Sequence, residues 1–353
     1  MKTVQRSLAY RDAGSSVRNL ARMTTYAPRD SVTSLLRVAG PFDAPRDGFV
    51  FTNSRLPILE SDAAQLRSRY QGAIDVVSAA VIDLIKQGLN GVSVSVFALP
   101  DISLPDLVID KVLEEITAPV RDKLLDAIVS GIPGTYGRCG GMAFAGYDMF
   151  LAGVPVDKFA VEPAPDTPLY RYIWGRLLDS LDANATTFLE WGFELHLLPT
   201  ISKIASGILG VAIGSLAGPM GSALGGYIAG KDDVLGLGGP TLFVDRTRDH
   251  LKRLASDLQR EAAWPIGLLH GAKPNPVESH QVLATSLRST GPNRMEIGLW
   301  DNNHGNVAAS MFVDLTGSQV IVSSPNADYL DVKAIFREDY APAAVPAEVR
   351  ALA

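Results

Sequence analysis

Residues 131–153 read GIPGTYGRCGGMAFAGYDMFLAG, a run of glycines, one cysteine and then a helical stripe. Met142, Ala145, Gly146, Met149 and Phe150 fall at i, i+3, i+4, i+7 and i+8, which is one face of a helix. Gly153 is a stop signal, and Pro155 follows just beyond it. Cys139 therefore stands at or just before the N-terminus of a core-facing helix. Unpaired N–H groups and the positive end of the helix dipole favour a thiolate there. Gly137, Gly140 and Gly141 leave room for a second backbone to approach. Taken alone, a free cysteine reads first as a small buried hydrophobe, because cysteine is among the most buried residue types.

Working outward, the N-terminal side is mostly helical. Residues 1–45 are Arg- and Ser-rich without a clear period and read as a loosely ordered leader. Gly48–Ser54 reads as a short strand entering a turn. Ala73, Val77, Ala80, Val81 and Leu84 make a helical stripe that Asn90-Gly91 ends. Residues 107–128 resume helical spacing, and Leu169–Leu198 is helical with Trp174 and Trp191 as anchors. The C-terminal side changes period. After a charged amphipathic helix over 245–263, strands are predicted at 264–269, 280–284, 295–300, 307–313 and 320–323. Helices first and a short antiparallel sheet later predict an α+β fold. The implied organisation is a leader (1–45), a helical subdomain with the cysteine (46–198), a glycine-rich hairpin insertion (199–240), an antiparallel β subdomain (241–340) and a tail (341–353).

Composition narrows the function classes. The 353 residues are 47% hydrophobic and 20% charged, ordinary for a globular chain. With 32 basic and 38 acidic side chains the formal net charge is −6, which argues against a nucleic-acid partner. One cysteine excludes an intrachain disulfide framework and a cysteine-based zinc cage, and no histidine pairing suggests another metal site. No cofactor is read. The first residues carry no apolar run of signal-peptide length, so the cytoplasm is the default compartment, beside export routes that leave no such mark.

A nucleophilic thiol needs a base, and the base needs a group that orients it. His280 and Asp301 flank the hairpin HQVLATSLRSTGPNRMEIGLWD, whose turn reads as 289–293. The midpoint of 280 and 301 falls inside that turn. Folding about it sets the two residues opposite one another on one face, with Cβ atoms roughly 4.5–5.5 Å apart. A slip of one residue would send them to opposite faces. Chain order is Cys139, His280, Asp301, the arrangement of a cysteine nucleophile with distant histidine and acid. His304 is a competing base, on a loop past the strand end.

These residues also carry a resemblance. The order and placement resemble papain-like cysteine peptidases. More closely, YGRCGGMAFAGYDMF, DTPLYRYIWGRLLDSL, ESHQVLATSL and IGLWDNNHG resemble an uncharacterised bacterial and fungal papain-fold group with CGGM, HQVLAYGY and YDPN segments. FTNSR at 51–55 is similar to a short motif of that group. The resemblance spans roughly residues 48–340, with 60–130 and 199–240 as insertions. It implies Cys139 as nucleophile, His280 as general base and then acid, and Asp301 as the holder of the imidazole. It implies an oxyanion site at the Cys139 N–H and one side-chain donor. Papain-like enzymes usually carry a glutamine six residues before the cysteine, where this chain has Pro133. Asn53 or Gln281 would replace it, Asn53 being favoured. Asn302 stands where YDPN has proline, and Thr285-Ser286 where HQVLAYGY has its aromatic. Arg176 and Asp179 enter as structural candidates.

Other motifs carry less. GGYIAGK at 225–231 has a phosphate-loop spacing, but Asp232 stands where magnesium needs Ser or Thr, and no strand precedes it. Asn184-Ala185-Thr186 is a glycosylation sequon by sequence. Residues 204–230 hold no formal charge, and Gly210, Gly214 and Gly218 recur every fourth position. This reads as a helical hairpin, each arm too short to span a bilayer, with a membrane or oligomer contact as the alternative roles. The leading expectation is a hydrolase of a peptide or isopeptide bond, with a peptide or protein as partner. The alternatives are a transglutaminase-like acyltransferase with the same residues, and an inactive interaction or membrane-active protein.

Overall fold

The computed structural model describes residues 40–54, 56–57, 59–90, 135–196, 242–271, 279–325, 329 and 331–353. The glycine-rich hairpin, the phosphate-loop-like run and the helix read over 107–128 lie outside them, as do residues 1–39. The described chain falls into two compact units. The smaller holds 71–90 and 189–196, where Ile74, Val77, Leu189 and Trp191 are buried. The larger holds the rest, including every candidate site residue.

The elements of the described chain are α1 (Ala44–Asp47), β1 (Leu56–Pro57), α2 (Glu60–Asn90), β2 (Thr135–Tyr136), α3 (Cys139–Leu151), α4 (Pro168–His196), α5 (Leu242–Leu258), β3 (Trp264–His270), β4 (His280–Gly291), β5 (Arg294–Trp300), β6 (Ala308–Asp314), β7 (Ile321–Ser323), β8 (Val332–Arg337) and α6 (Ala347–Arg350). Helices α2 and α4 each divide between the two units. The class is α+β. Five of the six main strands lie where the sequence places them, and the sixth, β8, was not read.

In the larger unit β3–β8 form one antiparallel sheet in the order β7-β6-β5-β4-β3-β8. Alternate residues of each strand feed two cores. Val282, Ala284, Ile297 and Leu299 pack with Val244, Leu251 and Leu254 of α5. Leu283 and Trp300 pack with Met142, Ala145 and Met149 of α3. Two helix layers thus bury both faces of the central strands.

The helix stops as the sequence predicts. Gly153 takes φ +64°, and Val154 N–H bonds back to Met149 O at 2.9 Å. Close approach explains three glycines. A Cβ at Gly141 would lie 2.2 Å from Ile173 O of α4. Cβ atoms at Gly48 and Gly146 would fall 2.6 and 2.5 Å from the Trp300 ring, which these two backbones sandwich.

Three expectations change. Gly48–Ser54 is a loop, with β1 just after it pairing β2. The leader read over 1–45 does not extend to its end, because Phe42 and Ala44 are core residues, Phe42 against Phe150 and Trp300. The tail read over 341–353 is likewise docked. Val345 and Val349 are buried, and Asp148 of α3 accepts from Tyr340 OH at 2.6 Å and Ala343 N–H at 2.9 Å. Tyr172 OH and the Arg176 guanidinium complete that buried carboxylate's partners. Arg176 also pairs with Asp179 at 2.7 Å, so both are structural. The sequon asparagine, Asn184, is buried mid-helix and bonds to Ser180 O and Asp339 O. No helix among the described residues is long and apolar enough to cross a membrane.

Candidate active site

The hairpin β4–β5 carries the two charged members. Its turn is tighter than predicted, with Pro292-Asn293 at the tip and Asn293 at φ +56°. Gly291 pairs Arg294, and the register shifts between Ser289 and Gly291 and again between Ala284 and Ser286. At the open end Leu283 faces Trp300. His280 and Asp301 are therefore not directly opposed, as the sequence argument had them. They are offset by two residues. An even offset preserves the face, and His280 Nε2 meets Asp301 Oδ1 at 2.7 Å.

Asp301 is buried and heavily solicited. Besides His280 it accepts from Asn303 N–H at 2.9 Å and from Tyr329 OH, and His304 Nδ1 lies 3.1 Å from its second oxygen. Burial disfavours its charge, but the His280 charge and these donors outweigh that and hold the carboxyl well below its usual range. Burial likewise pulls the His280 imidazole down, and Asp301 overrides it, so the ring is pushed up to about 10. Cys139 is the other side chain that acts on the imidazole, raising it alongside Asp301. With Nε2 held by Asp301, Nδ1 is the ring nitrogen left for a second partner. His304 shares the carboxylate but sits in a 3-10 turn (Asn302–His304) with 42% of its side chain exposed, so it competes for Asp301 rather than for the thiol.

Cys139 opens α3 and is half-buried. Arg138 before it is anchored through both backbone and side chain. Its N–H donates to Asn53 Oδ1 at 2.6 Å, its guanidinium pairs with Glu162 and lies 5.0 Å from the Tyr170 ring centroid. Asn53 Nδ2 donates to Asn303 Oδ1 at 2.9 Å. The amide orientation is forced, since a flip would set nitrogen against the Arg138 N–H. One Nδ2 hydrogen remains for another acceptor.

Gln281, the other oxyanion candidate, is placed elsewhere. Neighbouring strand residues face opposite ways. Gln281 therefore lies on the α3 side, wedged beneath Gly140, where an added Cβ would fall 1.9 Å from its Oε1. Nε2 donates to Ser180 Oγ at 2.5 Å and to Glu338 Oε1 at 2.6 Å. Both its amide hydrogens are committed, so it has none for an oxyanion.

Sequence reasoning missed four residues here: Tyr329, Ser180, Glu338 and the structural role of Asn302. Each joins through a contact remote in sequence or in an unread strand, and no local pattern marks them. Glu338 is fully buried, and desolvation pushes its carboxyl from an ordinary 4.5 up to about 8. The sign is that of an acid with a raised folded-state value. Between about 4.5 and 8 the folded state holds a proton that the unfolded state has lost, so stability falls as pH rises across that window. Glu338→Gln keeps the acceptor for Gln281 and removes the titration. Its Tm should rise above that of the wild type by a margin growing between pH 5 and 8, reaching roughly 5 °C. Thermal scans across that range check it, and a pH-independent difference would refute it.

No group of three or more His, Cys, Asp or Glu side chains among the described residues is arranged to hold a metal. The constellation is thus an imidazole bonded to a buried carboxylate and acted on by a thiol, beside first-turn N–H groups that have no intrahelical acceptor. Comparison of the chain with protein-family models, curated proteins and solved structures finds no match.

Proposed function

We propose that the chain is a papain-like cysteine hydrolase that cleaves a peptide or isopeptide bond. The observation that carries this reading is His280, hydrogen-bonded through Nε2 to buried Asp301, with the chain's one cysteine acting on the same ring. A thiol, a base and an orienter in that sequence of contacts are what nucleophilic acyl transfer requires. The substrate is a peptide or protein.

In this mechanism Cys139 Sγ attacks the scissile carbonyl carbon. The oxyanion is received by the Cys139 N–H and the open hydrogen of Asn53 Nδ2. His280 Nδ1 donates its proton to the leaving amine as the C–N bond breaks, which leaves a thioester on Cys139. The neutral imidazole then takes a proton from water, whose oxygen attacks the thioester. Collapse releases the carboxylic acid and returns sulfur and imidazole to their starting pair. Asp301 stays ionised and holds the ring throughout.

A peptidyl vinyl sulfone tests the reading without knowledge of the natural substrate. Intact-mass analysis should show one adduct on Cys139, formed faster than with the matched non-peptidyl vinyl sulfone. The adduct should be lost in Cys139→Ala and slowed in His280→Ala. Equal labelling of the wild type and His280→Ala would overturn the proposal. An amine-conjugated peptide, in place of a free acid, would redirect it to acyl transfer.

A further inference from the structure

Asn302 sits where three parts of the candidate site converge. Its Nδ2 donates to Cys139 O at 3.0 Å and to Gln281 O at 3.0 Å. Its own carbonyl accepts the Asn53 N–H at 2.7 Å. It follows Asp301 directly and is fully buried. One side-chain amide thus ties the carbonyl of the thiol-bearing residue to the carbonyl of the residue after the imidazole. These carbonyls belong to different elements, α3 and β4, which no backbone ladder joins. The amide cannot be flipped, because Oδ1 would then face two carbonyl oxygens.

From this geometry we infer that Asn302 is a positioning residue that sets the separation between the Cys139 sulfur and the His280 ring. It rests on the functional reading above and adds a part that does no chemistry itself. Two N–H donors of one planar group fix the distance between their acceptors. Removing them takes away the hydrogen-bonded tie between the start of α3 and the start of β4. A thiol and an imidazole are sensitive to that spacing, since displacement of about 1 Å costs on the order of 10²-fold in reactions that depend on alignment.

The backbone offers a clean way to test it. Asp301 has φ −101° and ψ 110°, the extended conformation that a residue before proline adopts. Asn302 is the first residue of the 3-10 turn, a position that accepts proline. Asn302→Pro therefore removes the amide while keeping the chain path, and Asn302→Ala removes it with a cavity. The reading is the second-order rate of iodoacetamide alkylation of the full chain between pH 5 and 9, with Tm recorded in parallel. Trp300→Phe serves as a stability control, because it loses the indole bond to Gly305 O in the same turn without touching the amide.

Both Asn302 variants should alkylate about 10- to 100-fold more slowly than the wild type at pH 6, and approach it at pH 9. Trp300→Phe should lose Tm with an unchanged pH profile. An Asn302→Pro protein with the wild-type profile overturns the inference and leaves the functional reading standing. A profile that moves equally in Trp300→Phe at matched Tm also overturns it, because the effect is then one of stability. A wild-type profile indistinguishable from that of His280→Ala overturns the functional reading and this inference together.

Discussion

His280→Ala should slow iodoacetamide alkylation of Cys139 at pH 6 by about 10- to 100-fold. A thiol without a partner, with the ordinary pKa of ~8.5, has a thiolate fraction roughly 200-fold smaller at pH 6 than at pH 9. On the proposed function the imidazolium is the counter-charge in the wild-type protein. Its proton is held to about 10 because Asp301 outweighs burial, so across pH 5–9 the ring stays positive beside the sulfur. The wild-type rate should thus change little over that range, whereas the His280→Ala rate should climb steeply. The loss at pH 6 is smaller than the thiolate fraction alone implies, because a more basic thiolate is the better nucleophile. The measurement has one source of signal, since the chain has one cysteine. Superimposable pH profiles for the two proteins would remove the imidazole from any role. The same pairing gives a stability window. The His280 contribution is complete below the unfolded value of about 6.5 and is lost as pH rises through about 10. The Asp301 contribution is complete above about 3.9 and is lost as pH falls toward its depressed folded value.

The largest loss of stability should come from Trp300→Ala. The indole is fully buried, lies between the backbones of Gly48 and Gly146, and makes tilted ring contacts with Phe42 and Phe49. Its Nε1–H donates to Gly305 O at 2.7 Å. Truncation of a large buried aromatic costs about 3–5 kcal/mol, and the orphaned carbonyl adds about 1–3 kcal/mol. That is a large share of the ~5–15 kcal/mol by which domains are stable. Urea unfolding should show a greatly reduced midpoint for Trp300→Ala and a smaller reduction for Trp300→Phe, which keeps a six-membered aromatic ring but loses the N–H and part of the indole's volume. A change below about 1 kcal/mol for Trp300→Ala would contradict the packing described.

The parts of this architecture that were legible in the sequence are those written locally. A 3.6-residue stripe behind a glycine cluster located α3 and placed Cys139 at its start. The hairpin gave His280 and Asp301 a common face, although their register was off by two. The turn is centred two residues later than read, which alone would shift the pairing by four, and the two bulges in β4 take back one residue each; nothing in ATSLRSTG announces a bulge. Gln281, the second oxyanion candidate behind the favoured Asn53, faces away from its strand neighbour His280, and its amide hydrogens go to Ser180 and Glu338. Strand β8 went unread because VKAIFR, buried on both faces, has no alternation to display. Asn302 and Tyr329 owe their places to contacts across 163 and 28 residues, which no window of sequence reports.

Those separations bear on how the thiol comes into being during folding. Asn53 reaches Asn303 across 250 residues, Asn302 reaches Cys139 across 163, and Gln281 reaches Ser180 across 101. Closing such loops costs chain entropy before any contact rewards it, so long-range topologies form slowly and late. A partly folded or nascent chain that has already formed α3 carries Cys139 without His280, Asp301 or Asn302 set around it. On the proposed function, reactivity would be switched on by completion of the sheet, which delays the nucleophile until the protein around it is whole.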